Sequence, residues 1–502
     1  MLENLATAFA IFATIDNVGI LLLGVLIGAT VGAIPGMTAT MGVALTLPFT
    51  FYMSPVTGIL LLLGVYKGGI YGGSIPAILI KTPGTPAAAC TVLDGYPMAR
   101  SGQANKALHM ALYASCFADF ISNLALIFFA GFIAQFALKF GPPEFFTLIL
   151  FSLTIIAGVS GDSLLKGLVS AGFGLLLATI GLDLIYGTER FVFNEVELMG
   201  GVKFIPVLIG LFALPEIINH YSHKLGHHDR VADLGKAGVT WAEWKRSFKS
   251  IVRGSLIGVG MGAIPGIGGA PSAFLSYSEA KRTSKNRDKF GKGEVEGVAA
   301  AEAGNNGVCG ATMIPLLALG VPGDVITAVI LGAFMIHGLQ PGPILFQQNI
   351  TLIYALFMGI MLSSAYLFVV GKLGIKLLAR ISDVPNSFLY PTVLVLCVFG
   401  AYAVGSTMFD VLVMMVMGLV GYFMLKFEIP AAPFLIAFIL GPLLEDSFRQ
   451  ALQLTRGDYS TFVSSGICIF FLMLTVLSIA FVIKRNFDLH RNRRRAEDML
   501  TE

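Results

Sequence analysis

Residues 24–36 read GVLIGATVGAIPG and residues 254–266 read GSLIGVGMGAIPG, identical at nine of thirteen positions across an offset of 230. A second pair follows in the same order: IPAILIKTPG at 75–84 and IPLLALGVPG at 314–323, at an offset of 239. Two matches at nearly one offset mark two copies of one unit. In each copy GAIPG closes a glycine-spaced apolar stretch. Its proline cannot continue a helical hydrogen-bond ladder, and its last glycine can reverse the chain. The motif predicts hairpin tips at Gly32–Thr40 (GAIPGMTAT) and Gly262–Ala270 (GAIPGIGGA).

The composition names the solvent. Of 502 residues, 13% are charged and 56% hydrophobic, whereas a soluble domain carries about 25% charged residues. This excludes a water-soluble globule and a disordered chain, and requires a bilayer. The 58 Gly and 22 Pro lie largely inside apolar runs. Broken backbone at membrane depth is tolerated only where it is packed in protein or lines a cavity, so a transporter or channel is favoured over a bundle of anchors. The five Cys are scattered without a CxxC and read as free thiols. The N-terminal MLENLATAFAIFATIDN lacks the basic n-region of a cleaved signal peptide. No GxxxxGK[ST] occurs, which argues against an ATP motor.

Apolar stretches long enough to cross about 30 Å of hydrocarbon lie at 56–80, 108–138, 143–158, 162–182, 203–219, 352–371, 387–404, 409–426 and 461–483; 430–443 is short for a span, and 297–336, full of Gly, Pro and Asn, reads as a broken helix. Seven Lys/Arg in 220–253, six in 279–296 and six in 484–502 place these loops in the cytoplasm. Segment 254–278 lies between two of them and is too short to cross twice, so it reads as a re-entrant hairpin. The expected fold is an all-α integral membrane protein of about 11–12 transmembrane helices with a cytoplasmic C-terminus. Residues 1–219 form a first repeat, 220–253 a basic cytoplasmic linker, 254–460 a second repeat, and 461–502 a final helix and basic tail. The tail reads as topology and lipid contact, with no nucleic acid implied.

The charges also set the hand of the repeat. After the first hairpin, 50–56 is uncharged, while after the first broken span 81–107 carries Lys81, Arg100 and Lys106. In the second copy the pattern reverses: 279–296 is basic and 337–350 has no Lys or Arg. Equivalent elements thus face opposite sides, the pattern of inverted-topology repeats in secondary transporters with a site near the midplane.

Two constellations are candidates for transport. The hairpin tips, with Pro35, Gly36, Thr38, Pro265, Gly266, Gly268, Gly269 and Ser272, bring half-helix N-termini and hydroxyls suited to an anion. The broken spans, YKGGIYGGSIPAILIKTPGTPAA (66–88) and EAGNNGVCGATMIPLLALGVPG (302–323), add Lys67, Gly72, Gly73 and Ser74 to the substrate-binding set. Glu302, Asn305 and Asn306, at i, i+3 and i+4, share a helix face and offer hard oxygen ligands for Na⁺ or a site for a proton; Asp324 lines the same cavity or caps a helix. Lys67 attracts a substrate carboxylate or pairs with an acid, two readings the sequence leaves open. Asp119 and Asn123, at i and i+4, read as a helix-packing pair. His220, His223, His227 and His228 lie in a cytoplasmic loop without Cys or a clear acidic partner, so no metal site is assigned to them. No catalytic residue and no cofactor is assigned; Na⁺ as coupling ion is the one bound metal considered.

At these motifs the chain resembles the large membrane subunit of the tripartite tricarboxylate transporters, the TctA type. The residues carrying the resemblance are GAIPG (32–36), YGGSIPAIL (71–79), PGTPAA (83–88), DGYPMARSG (94–102), AIPGIGG (263–269), FGKGEVEGVAAAEAGNN (290–306), IPLLALGVPGD (314–324) and HGLQPGP (337–343), spread over nearly the whole chain. Lys81-Thr82 departs from the family pattern, where a more neutral residue such as Asn precedes Pro-Gly. The resemblance implies two partners, a periplasmic solute-binding protein and a small membrane subunit. It also implies a non-enzymatic permease of the bacterial inner membrane that imports a citrate-like tri- or dicarboxylate on a Na⁺ or H⁺ gradient. A gated organic-anion channel of the same architecture is the alternative, and a membrane-embedded enzyme lacks a nucleophile–base pair near Glu302.

Overall fold

The computed structural model describes residues 2–501 apart from 160–162, 184, 223–233, 382–383 and 385. His223, His227 and His228 fall outside the described residues. In chain order the elements are α1 (Leu2–Phe12), α2 (Ile15–Ala33), α3 (Ala39–Thr46) with a 3₁₀ turn (Leu47–Tyr52), α4 (Pro55–Gly72), α5 (Ser74–Ile80), α6 (Ala88–Arg100) and α7 (Ala104–Ala137). There follow α8 (Pro142–Val159), α9 (Leu164–Ala178), a two-stranded ribbon β1 (Gly181–Leu182) and β2 (Glu189–Arg190), α10 (Val196–Met199), α11 (Phe204–Phe212) and α12 (Leu214–Ser222). The second half holds α13 (Trp241–Gly262), α14 (Gly269–Thr283), α15 (Val295–Asn306), α16 (Val308–Ala311), α17 (Met313–Leu319), α18 (Val325–Ile336) and α19 (Pro343–Gln348). It closes with α20 (Ile350–Ile381), α21 (Asn386–Gly405), α22 (Met408–Lys426), α23 (Ala431–Leu454) and α24 (Gly466–Thr501).

Among the described residues nine helices are long and apolar enough to cross a membrane, and four more apolar helices are shorter. The chain is a multi-pass, all-α membrane protein. The stretch 430–443, short for a span in the sequence, is the first part of the 24-residue α23, which runs past Pro442. Conversely, 162–182 yields only the 15 residues of α9 before the ribbon begins.

The chain forms two compact units, and their boundaries do not follow the repeats. One comprises Met1–Leu138 and Ile205–Tyr422, the other Lys139–Phe204 and Phe423–Glu502. The first unit takes hairpins and broken helices from both halves of the sequence, because these pack on each other and on α7.

Glycine spacing builds the first unit. On α2, Gly24, Gly28 and Gly32 lie against Leu61/Gly64, Val65/Gly69 and Gly69/Gly73 of α4 and its end; a Cβ at Gly28 would stand on the Val65 carbonyl and 2.8 Å from the Gly69 nitrogen. The numbers rise together, so α2 and α4 run parallel at backbone contact, as small residues permit in a membrane. Asn17 and Thr57, near the two N-termini, share a hydrogen bond of 2.6 Å. The chain therefore enters by α2, turns, and returns through α3 to the end where it started. At an offset of 230, Gly254, Gly258 and Gly262 of α13 meet Ala300/Ala303, Gly304/Gly307 and Val308/Ala311 in the same parallel fashion. The second hairpin also closes on itself, since Arg253 Nη1 donates to Thr283 Oγ1 at 2.7 Å.

The two stretches that read as broken in the sequence are interrupted. Gly73 interrupts α4 and α5, and Gly307 and Thr312 interrupt α15, α16 and α17. Each ends in a left-handed residue, Lys81 (φ 61°) and Gly320 (φ 73°), 239 positions apart. Tyr66 bonds Thr312 while Ser74 bonds Glu302, so the two broken helices run antiparallel to each other.

The second unit packs α23 on α8 and α9, and α24 on α8. Phe146, Phe448 and Phe462 cluster at one end, with Phe448 and Phe462 stacked 5.5 Å apart. Beside the ribbon, Asp183 accepts from Arg449 at 2.6 Å, and Glu445 accepts from Arg190 at 2.7 Å.

Candidate functional site

In each half of the first unit, three backbone features meet: the hairpin tip, the helix break and the Pro-Gly loop that follows. In the first half the Gly84 amide donates to the Gly73 carbonyl at 3.1 Å, and Gly84 lies against the Gly32 carbonyl. In the second half the Gly266 amide donates to the Gly323 carbonyl at 2.7 Å, and Gly323 lies on Thr312. Gly84 and Gly323 are repeat partners, and a side chain at either would collide with backbone. Gly36 and Gly266 turn the tips with φ of +81° and +83°, conformations that cost an L side chain. Pro35 and Pro265 are buried behind them, while Gly36, Thr38 and Gly266–Ala270 are half-buried.

The tips differ in one respect. Thr38 Oγ1 accepts the Met41 amide and so caps α3. At the matching place α14 starts from Gly268, at φ +66°, with no side-chain cap. The first turn of α14 keeps its amides unpaired with any cap, the arrangement that favours an anion. Ser272, expected as a hydroxyl donor here, is fully buried and donates instead to the Gly304 carbonyl at 2.8 Å, fastening α14 to α15.

The polar residues of α15 separate. Glu302 and Asn306 share a face, with Asn306 Nδ2 donating to Glu302 Oε2 at 3.2 Å. Asn305 lies elsewhere, its Oδ1 3.1 Å from where a Cβ on Gly269 would stand. The three residues expected on one face thus serve two places, because neighbouring positions on a helix point about 100° apart.

Glu302 is fully buried and accepts from Ser74 (2.6 Å), Ser115 (2.9 Å) and Thr91, as well as Asn306. These donors come from α5, α7, α6 and α15. All are neutral, and no Lys or Arg bonds it among the described residues. Ser74 is therefore not at the tips: it stands one residue past the break at Gly73 and faces Glu302. Gly72 and Gly73 serve as contacts, against Ala29 of α2 and against Gly84–Thr85.

Lys67 does not face the tips either. Its ammonium is buried against Asp119 (3.0 Å), Asn123 Oδ1 (2.7 Å) and the Ile360 carbonyl (3.3 Å). Of the two readings left open, pairing with an acid is the one observed, and Asp119–Asn123 is its partner as well as a bond to Ser364 on α20. Asp324 caps α18, accepting the Thr327 amide at 2.7 Å in a capping box, and also accepts from Tyr66 at 3.1 Å.

Sequence reasoning missed Thr91, Ser115 and Tyr66. A signal existed for one of them: Ser115, Asp119, Ser122 and Asn123 recur at helical spacing and form the polar stripe of the otherwise apolar α7. It also missed Asp94, which Tyr277 and the amides of Gly291, Gly293 and Glu294 hold at 2.8 Å each.

A family model described as the tripartite tricarboxylate transporter TctA family matches residues 18–436. Over 467 residues the chain is 36% identical to an Agrobacterium vitis protein named "Uncharacterized 52.8 kDa protein in TAR-I ttuC' 3'region", with 93% of each chain covered. A second Agrobacterium vitis protein, from the TAR-II ttuC' 3' region, is 33% identical over 245 residues, which cover 49% of this chain and 100% of the relative. No solved structure matches. Motifs, helical architecture and a family match over most of its length agree: the chain belongs to the tripartite tricarboxylate transporter TctA family.

Proposed function

We propose that the chain is the permease subunit of a secondary transporter that imports a citrate-like tri- or dicarboxylate across the bacterial inner membrane on a Na⁺ or H⁺ gradient. The observation that carries this reading is the paired meeting of hairpin tip, helix break and Pro-Gly loop, made at Gly32–Gly73–Gly84 and repeated at Gly266–Thr312–Gly323. Such irregular backbone at depth is the usual material of a transporter's substrate site. The antiparallel broken helices and reversed loop charges support an inverted-topology repeat, with the C-terminus in the cytoplasm.

Glu302 is the coupling group. A buried carboxylate with only neutral partners is poorly compensated, and the arrival of a proton or a cation relieves it. Its two oxygens and the hydroxyls of Ser74, Thr91 and Ser115 form a hard-oxygen set suited to Na⁺. The TctA family is tripartite, which supports a periplasmic solute-binding protein that delivers the substrate and a small membrane subunit beside this one.

Radiolabelled citrate uptake in proteoliposomes tests the reading, with the three components reconstituted and Na⁺ and pH gradients imposed separately. Accumulation against the citrate gradient, lost without the binding protein, is the expected result. Equilibration that never exceeds the electrochemical balance makes the chain a channel.

A further inference from the structure

The geometry points to Asn305 as the residue that reads a hydroxyl beside the substrate carboxylate, with the uncapped N-terminus of α14 holding the carboxylate itself. The inference rests on the carboxylate-transport reading and deepens it: the two tips are unequal, and selection resides at the second.

Three observations carry it. The 15-residue α14 opens at Gly268–Gly269 with no side-chain cap, whereas its repeat partner α3 is capped by Thr38. Asn305 is completely buried, yet neither its Nδ2 nor its Oδ1 has a hydrogen-bond partner among the described residues. That unpartnered amide abuts the first residue of α14: its Oδ1 lies 3.1 Å from where a Cβ on Gly269 would stand, so a side chain there would press on it.

The chemistry then selects the ligand. A carboxylate oxygen can accept from Nδ2, but it cannot donate to Oδ1. A hydroxyl on the neighbouring carbon does both, accepting from the amide and donating to it. A ligand without the hydroxyl leaves the buried Oδ1 unmet, and sites built to bond a hydroxyl reject analogues that lack it. The ligand class is a hydroxycarboxylate. The helix N-terminus supplies attraction for any carboxylate, and Asn305 supplies the preference.

The test is thermal unfolding of the purified full chain in detergent with two ligand pairs: citrate against tricarballylate, and malate against succinate. The second member of each pair lacks the hydroxyl. The wild-type chain is expected to be stabilised by at least one hydroxylated member at a concentration about tenfold below that needed for its partner. Asn305→Leu is expected to bind both members of that pair alike. Should that variant fail to fold, Gly269→Ala gives the second reading, since its methyl presses on Asn305 Oδ1 and is expected to abolish the preference. Equal stabilisation by both members in the wild-type chain overturns the inference and leaves carboxylate binding intact, as does a preference retained in Asn305→Leu. Stabilisation by none of the four overturns the carboxylate reading on which it rests.

Discussion

Ser74 donates to Glu302 at 2.6 Å across 228 residues of chain, joining the break of one broken helix to the polar face of the other. Both side chains are buried, so the bond is shielded from water and its loss is felt. Ser74→Ala is expected to lower stability by about 1–3 kcal/mol, the range for a buried bond to a charged acceptor. Thermal melts in detergent measure it. Ser74→Ala combined with Glu302→Ala should cost less than the sum of the two, because both remove one contact.

Lys67 and Asp119 form a buried pair, with exposures of 1% on each side chain. Removing one partner strands the other charge. Lys67→Met alone is expected to cost about 3–5 kcal/mol, and Lys67→Met with Asp119→Leu to recover most of it. If Lys67 served the substrate directly, the double variant would fold but lose citrate uptake. On the present account it folds and retains uptake, and the proteoliposome assay separates the two.

Lys81 ends α5 at φ 61°, a conformation natural to glycine or asparagine, and its repeat partner is Gly320. It is exposed, so its side chain contributes little packing. Lys81→Gly should therefore stabilise the chain by about 1 kcal/mol, seen as a raised Tm.

In the second unit, Asp183 has its carboxyl held down to about 2 by the Tyr186 amide, then by the Arg449 guanidinium, against an ordinary value of 3.8. The unfolded chain takes up the proton first as pH falls. The stabilisation is thus fully present above about pH 4 and is lost between there and pH 2. The protection of the Ile185 and Tyr186 amides, which donate to Asp183 Oδ1 at 2.9 and 2.8 Å, measured by hydrogen exchange relative to each amide's intrinsic rate, should be high at neutral pH and fall as pH drops below 4. Asp183→Asn should show the lower protection already at neutral pH.

What the sequence revealed and what it hid follow from the range of the interactions. The GAIPG copies, the chain reversals they mark and the broken character of 66–88 were legible because each depends on local backbone chemistry repeated at a fixed offset. The assignment of Lys67 was not, since its partner is 52 residues away on α7 and only packing brings them together. Nor was the divergence of Asn305 from Asn306: adjacency in sequence hides that one faces a hairpin tip and the other a carboxylate. The polar stripe on α7 was readable, but its target was not, because one face of that helix serves Lys67 through Asp119 and Glu302 through Ser115.

Gradient-driven citrate uptake in proteoliposomes carrying Glu302→Gln beside the wild-type chain, with folding checked by gel filtration, tests Glu302 as the coupling group. Glutamine keeps the size of the side chain but cannot take up the proton or bear the charge that coupling needs. The expected result is a folded variant that accumulates no citrate above equilibrium under either a Na⁺ or a pH gradient, and the role of Glu302 in coupling rests on that outcome. Accumulation at the wild-type level by that variant would contradict it.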